Sequence, residues 1–504
     1  MSNESEHNAA DGAGMGVSRR SFVRSTGLIA AGVTAVPGAA SANPIDDALD
    51  TATDLLQEVL VVFEENDDIS LLDGLDLPEG YYGFDVLPIA YTEVPGSLLE
   101  TIANFDEVLE IAPNRELEYF NDEARETSRA SEVQAGDRVD GYDGSNVHSV
   151  VIDSGIDGLH PDLKENLVSN WRWVGEPLTD DGDTTLWVDA GPVNTDDNGH
   201  GTHCSGTLCG DGTESDGELR GMAPGADLTV YSAGLALLIV KVVAAYNHMI
   251  ARKREGETDV QIVSNSYGAS ESEDFDPDDP GNVATWYAYE ENILPIFSAG
   301  NSGPDTNTLN YFVRAPHVLG VAANHTDQSV TDFSSRGRSE EFDGETNYDR
   351  QQAFENLSAY YSGEESEGAL GIYRNGIGAK GANVVSTLNP AHPLKAGGLD
   401  ETWYGPLSGT SMSCPGVAGC ATLFVDAFRE TQGETPDSID VLNTLEATAD
   451  LDAIDDVEDP DGASVYSAEN IGTGFVDALA AVERAERGQT ARFNQVRVAD
   501  SEGE

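Results

Sequence analysis

From Gly141 onward the chain repeats one pattern: a short, nearly all-apolar run, a glycine-rich turn, then a helical stretch. Residues 147–152, 260–266 and 294–298 are the clearest such runs. A strand apolar on both faces must be covered on both sides, and helices that follow such strands supply the cover. The pattern predicts an α/β fold with a mostly parallel central sheet and helices on both faces. In that architecture functional groups gather at the carboxyl ends of the strands.

The segment ahead of this region reads as a separate unit. Runs at 58–63, 81–87 and 108–111 have strand character, and 95–102 fits a helix with proline in its first turn. The mix predicts a small α+β, ferredoxin-like module over residues 43–120. Residues 1–42 carry Arg19-Arg20 before a polar-to-apolar transition, an apolar run at 27–36, and Ala40-Ser41-Ala42. This is the make-up of a twin-arginine export signal, with cleavage expected after Ala42. The apolar run is too short and too rich in Gly and Ala to span a bilayer of about 30 Å, and no later run is expected to, so no transmembrane anchor is predicted. The main domain is expected at 121–488, a disordered acidic tail at 489–504, and the product outside the cell.

Charge narrows the partners. There are 91 Asp+Glu against 26 Lys+Arg, a formal net charge of −65. Such a field repels phosphates, which excludes nucleic acid and anionic membrane surfaces. Hydrophobic residues make up 39% of the chain, enough to bury a core, so it is no acidic random coil. The acidic excess is spread along the whole length, and lysine occurs only at Lys164, Lys241, Lys253, Lys380 and Lys395. That distribution suits concentrated salt, where self-repulsion is screened over a few Å.

Three motifs carry chemistry. Asp153-Ser154-Gly155 ends the first apolar run, and a carboxylate there is costly to ionise unless a donor or cation faces it. Asn198-Gly199-His200-Gly201-Thr202-His203 opens a helix of small residues, its glycines allowing a sharp entry. Ser408-Gly409-Thr410-Ser411-Met412-Ser413-Cys414-Pro415 precedes an apolar helix expected at 417–428. Taken singly, Ser411 reads as a helix N-cap and Asn301, in Ser298-Ala299-Gly300-Asn301, as a turn residue. Taken together, the motifs supply an acid, a base and a nucleophile in the order Asp, His, Ser.

On these motifs the chain resembles the subtilisin-like serine proteases (the subtilase family), of the haloarchaeal halolysin-like type, from Gly141 through the segment 472–478. The resemblance implies Asp153, His200 and Ser411 as the catalytic triad and Asn301 as a side-chain donor to the oxyanion. It places substrate backbone along Ser266, Tyr267 and Gly268, beside a specificity pocket that Ser298, Ala299 and Gly300 also line. It further implies that the module at 43–120 is an intramolecular inhibitory propeptide, self-cleaved near Phe120–Asn121. An aromatic residue would then sit in the primary pocket during processing. The implied enzyme is an exported, monomeric serine endopeptidase acting on proteins and peptides through an acyl-enzyme.

No cofactor is required for that chemistry. Structural Ca²⁺ is common in the family, and Asp162 and the loop 211–218 offer oxygen ligands, but no ligand set is fixed by the sequence. A competing zinc reading uses His200, His203, Cys204 and Cys209, and leaves Asp153, Asn301 and Ser411 unexplained. Another treats the chain as a catalytically silent binding protein on a protease scaffold, which loss of a triad group would favour. The four cysteines (Cys204, Cys209, Cys414, Cys420) read as small apolar filler on buried helices, with one cross-helix bridge as the alternative. The acidic segment 338–367 is expected to be a solvated loop, and the Ser413-Cys414-Pro415-Gly416 run departs from the family's usual Ala-Ser-Pro-His.

Overall fold

The computed structural model describes residues 44–45, 49–78, 80–83, 88–113, 121–175, 185–268, 274–338, 348–364, 368–395, 402–451 and 471–498. The expected export signal, the stretch 84–87 and the Phe120–Asn121 junction on its Phe120 side lie outside these residues. The chain divides into two compact units, Met1–Glu118 and Tyr119–Glu504.

The first unit is one antiparallel sheet. Strands β1 (Leu56–Phe63), β2 (Tyr81–Gly83), β3 (Ile89–Pro95) and β4 (Val108–Pro113) lie in the order β2-β3-β1-β4. A 3₁₀ segment, Asn66–Gly74, follows β1, and helix α1 (Gly96–Ala103) joins β3 to β4. This is the split β-α-β order of a ferredoxin-like module, with the first helix shortened to 3₁₀. Alternation along β1 turns Val59, Val61 and Phe63 inward, onto Leu99 and Ile102 of α1.

The second unit is built on eight strands in the order β12-β11-β10-β9-β5-β8-β6-β7. They are β5 (His148–Asp153), β6 (Leu167–Trp173), β7 (Trp187–Asp189), β8 (Asp227–Ser232), β9 (Val260–Asn265), β10 (Leu294–Ser298), β11 (Leu319–Asn324) and β12 (Ile377–Lys380). All pairings are parallel except β6 with β7. Helices cover both faces. Val151 of β5 joins a core with α2 (His200–Cys209), α6 (Thr410–Gln432) and α8 (Ala478–Glu486). Its neighbours Val150 and Ile152 point the other way, to α3 (Ile239–Arg254) and α4 (Pro280–Glu290). A short hairpin, β13 (Val384–Thr387) with β14 (Tyr404–Leu407), leads into α6.

Helix α6 starts seven residues earlier than the sequence predicts and carries Pro415 within it. It is also long and apolar enough to cross a membrane, but 94% of its most apolar 18-residue window is buried among the other elements, which accounts for that composition. Helix α3 runs from Ile239 to Arg254, its last turn carrying Arg252, Lys253 and Arg254 where the helix dipole favours cations.

Two expectations fail in part, over the described residues. Within the acidic segment 338–367, residues Arg350–Tyr361 form helix α5, capped by Asp349, whose carboxylate accepts the Gln352 N–H at 3.1 Å. Arg350, Ala353 and Leu357 recur on one helical face and are all buried, a signal hidden among the surrounding carboxylates. Of the tail expected to be disordered from residue 489, the described part (489–498) is held at two points: the Ala491 N–H bonds Thr444 Oγ1 at 2.8 Å and the Phe493 ring lies 5.3 Å from Phe354. Helix α7 (Ser438–Thr448), which carries Thr444, also carries Glu446.

Glu446 anchors a buried ion cluster. Its carboxylate accepts from Arg350 at 2.7 and 3.2 Å and from Arg374 at 3.0 and 3.1 Å, with all three residues at most 4% exposed. Arg350 also donates to the carbonyls of Pro316 and Val318 at 2.8 and 2.9 Å. Burial alone would raise the Glu446 pKa, but the two guanidinium groups hold it below the ordinary glutamate value. The four cysteines are free and buried, two on α2 and two on α6, so they act as filler and no bridge forms. Burial pushes the Cys414 and Cys420 thiols up to about 12.

Glu446→Ala strands two buried guanidinium groups and is expected to cost about 3–5 kcal/mol in denaturant unfolding. Because the folded pKa of Glu446 is depressed, its contribution is full above the unfolded value of 4.5 and fades as pH falls through the folded value, so the wild type–mutant gap narrows in acid. All four thiols should resist Ellman's reagent in the native protein and react once it is unfolded.

Candidate active site

The predicted acid, base and nucleophile reach one place from three elements. Asp153 is the last residue of β5, 4% exposed, and His200 is the first residue of α2. Asp153 Oδ1 accepts the His200 Nδ1–H at 2.8 Å and the Ser154 N–H at 2.7 Å. An ionised carboxylate can only accept, so the ring proton sits on Nδ1 and the lone pair of the neutral imidazole is on Nε2. Burial opposes the imidazolium, but the Asp153 charge outweighs it and holds the His200 pKa well above 6.5. The buried Cys204 thiol is itself pushed up, so it stays neutral and adds little to that field.

Glycine permits the approach. A Cβ on Gly201 would lie 2.1 Å from the Gly155 carbonyl and 3.1 Å from Asp153 Cβ, so the end of β5 and the start of α2 touch backbone to backbone. Gly199, the N-cap of α2, has φ 104°, which a side chain would strain.

Ser411 occupies the first turn of α6, after the N-cap Gly409, and does not cap it. Its hydroxyl donates to the Ser266 carbonyl at 3.2 Å, so among the described hydrogen bonds it rests there and not on His200. Pro415, four residues on, lacks the N–H that would normally bond the Ser411 carbonyl. That carbonyl accepts instead from Ser266 Oγ at 2.9 Å and Cys204 Sγ at 3.3 Å. The proline thus ties the serine's own backbone to β9 and α2.

Asn301 lies at the carboxyl end of β10, beside Ser411. Its Oδ1 accepts the Thr410 N–H at 2.9 Å and the Thr410 hydroxyl at 3.0 Å. A backbone N–H can face only the oxygen of an amide, so Asn301 Nδ2 is left as a donor. Gly300 is left-handed at φ 104°, and its N–H is held by Thr410 Oγ1 at 3.1 Å. The predicted substrate positions Ser266–Gly268 and Ser298–Gly300 extend from the adjacent parallel strands β9 and β10. Asn310, which the sequence reading missed, clips them together: its Nδ2 donates to the Tyr267 carbonyl at 2.9 Å and the Ser298 carbonyl at 2.8 Å. Only long-range contact reveals that role, as it does for Thr410.

The four-ligand zinc set is not assembled. Asp153, His200 and Cys204 do bring donor atoms within 4.8 Å of one another. But His203 turns away, donating from Nε2 to the carbonyls of Val384 at 2.9 Å and Gly405 at 3.0 Å, and burial pushes its pKa down to about 3. Cys209 donates to the Ser205 carbonyl within its own helix. Asp162, offered as a calcium ligand, already accepts the Glu214 N–H at 2.8 Å and the Tyr404 hydroxyl at 2.6 Å, one on each oxygen.

A hydroxyl, an imidazole oriented by a buried carboxylate and an amide held through its oxygen therefore gather near the carboxyl ends of β5, β9 and β10. These are the parts needed for nucleophilic attack on a carbonyl.

Comparison with known proteins agrees with this chemistry. The model of the Subtilase family matches residues 144–474. Serine protease AprX of Bacillus subtilis (strain 168) is 28% identical over 395 residues, spanning 75% of this chain and 77% of AprX. Subtilisin of Bacillus sp. (strain TA39) is 29% identical over 290 residues, 55% of this chain and 56% of that protein. Among solved structures, Sphericase superposes with a TM-score of 0.50 at 26% identity, covering 68% of this chain and 96% of its own. The family match spans well over half the sequence and contains all the converging groups: the chain belongs to the subtilase family of serine endopeptidases.

Proposed function

We propose that the protein is an exported serine endopeptidase, self-processed from a precursor, in which Ser411 attacks the peptide carbonyl, His200 takes its proton and Asp153 fixes the imidazole. The observation that carries this reading is the 2.8 Å contact between Asp153 Oδ1 and His200 Nδ1 beside Ser411, since it leaves Nε2 as the proton acceptor. For attack the Ser411 hydroxyl swings from the Ser266 carbonyl to that nitrogen. Charge then developing on the substrate oxygen is met by Asn301 Nδ2 and the Ser411 N–H. Collapse of the tetrahedral intermediate expels the amine, protonated by His200, and water repeats the sequence on the acyl-enzyme. No metal takes part in these steps.

Substrate backbone runs along Ser266–Gly268, with the side chain before the cut entering the space flanked by Ser298–Gly300. The first unit serves as the intramolecular inhibitor, released by cleavage near Phe120–Asn121, and Phe120 favours an aromatic residue at that position of substrates. Support comes from its independent core and ferredoxin-like strand order. The paired Arg19-Arg20 and the apolar run after them direct export by the twin-arginine route, and the net charge of −65 fits work in concentrated salt.

Ser411→Ala is expected to lower turnover of an aromatic peptide amide at high salt by about 10⁶-fold. It should also leave the precursor intact, while the active protein begins close to Asn121. Undiminished hydrolysis by the mutant would defeat the mechanism, and a mature start well beyond residue 130 would defeat the propeptide assignment. Only the neutral imidazole accepts the proton, so kcat/KM should fall as pH drops through a His200 pKa lying above 6.5. Asp153→Asn should move that acid limb downward, along with a large loss of rate.

A further inference from the structure

We infer that Asp196 is a positioning residue for the reaction, a single buried carboxylate that sets the distance between the acid on β5 and the base on α2. The inference rests on the triad reading above. Asp196 is 7% exposed and accepts five hydrogen bonds. Oδ1 takes the Ser154 hydroxyl at 2.9 Å and the N–H groups of Gly199 at 2.9 Å and Asn198 at 3.2 Å. Oδ2 takes the Thr202 N–H at 2.8 Å and its hydroxyl at 2.6 Å.

The identity of the donors is what matters. Ser154 follows Asp153 directly, while Gly199 and Thr202 bracket His200. The Ser154 hydroxyl also accepts the Gly201 N–H at 3.0 Å, which closes a ring of bonds around the imidazole's backbone. Because the N-cap Gly199 has no side chain, Asp196 does the capping of α2 from outside the helix. Burial would raise the Asp196 pKa, but the Thr202 hydroxyl, the Gly199 and Thr202 N–H groups and Ser154 together hold it below the ordinary aspartate value. An ionised acceptor is thus available for all five donors. An asparagine has only one acceptor atom. Placed toward Thr202, its NH₂ meets the Gly199 and Asn198 N–H groups; turned over, it meets the Thr202 N–H. Either way the first turn of α2 loses an anchor, and His200 is no longer fixed against Asp153.

The test compares Asp196→Asn, Thr202→Val, Ser154→Ala and Thr202→Ser with the wild type, counting competent sites with a serine-directed phosphonate. Turnover per titrated site is expected to fall about 10²-fold in Asp196→Asn, the usual penalty for misplacement by about 1 Å. KM should stay essentially unchanged, and the downfield proton resonance of the His200–Asp153 hydrogen bond should shift or vanish. Thr202→Val and Ser154→Ala should lose part of the rate, and Thr202→Ser, which keeps both donors, should restore it. A loss confined to the number of folded sites or to KM, with turnover and resonance unchanged, would overturn the inference. If Asp196→Asn does not fold, wild-type turnover in both Thr202→Val and Ser154→Ala overturns it. Persistent hydrolysis in Ser411→Ala would instead remove the triad reading, whereas the resonance still reports the Asp153–His200 geometry.

Discussion

The burial of α6 is the constraint on which the candidate active site depends. Residues from Thr410 to Phe428 on this helix are almost all inaccessible to solvent, packed on the sheet, α2 and α8. At about 25 cal/mol per Å² of apolar surface, displacing such an element is costly, so its amino end is held as firmly as its middle. Ser411 sits at that end. Pro415 converts a missing helical bond into two cross-links, to Ser266 and Cys204, and so joins the Ser411 backbone to the segment after β9 and to α2.

A second constraint is backbone contact between β5 and α2. Gly155 and Gly201 let the strand end and the helix start meet without side chains between them. Asp153 and His200 are consequently presented by two elements in close main-chain approach, which the Asp196 carboxylate ties together across Ser154, Gly199 and Thr202. Loops contribute little to the Asp153–His200 pair itself, in keeping with the precision that a proton-transfer site requires.

Charge is divided unevenly. Cations are few, yet Arg350 and Arg374 are buried on Glu446, where salt screens little, while the carboxylate excess is left to the surface. That cluster joins α5, the segment before β12 and α7. The sequence hid it, because an arginine among many carboxylates looks like one more solvated charge. The helix α5 and the packed tail after residue 488 were obscured in the same way: their buried positions, such as Ala353, Leu357 and Ala491, are few and spaced among polar residues.

The sequence alone determined the α/β class, the strands at 147–152, 260–266 and 294–298, and the three motifs. These are local signals: apolar runs of strand length, glycines where the backbone must turn tightly, and chemically demanding residues at the ends of strands and helices. Pro415 was also legible, though its consequence for the Ser411 carbonyl was not. Only the tertiary structure decided which donors meet which acceptors across the fold. Thr410 orienting Asn301, Asn310 clipping Tyr267 to Ser298, His203 donating to Val384 and Gly405, and Asp196 linking Ser154 to Gly199 and Thr202 all join residues on different elements. Hydrogen bonds act over about 3 Å in space whatever the separation along the chain, so no spacing or composition in the sequence could have specified them.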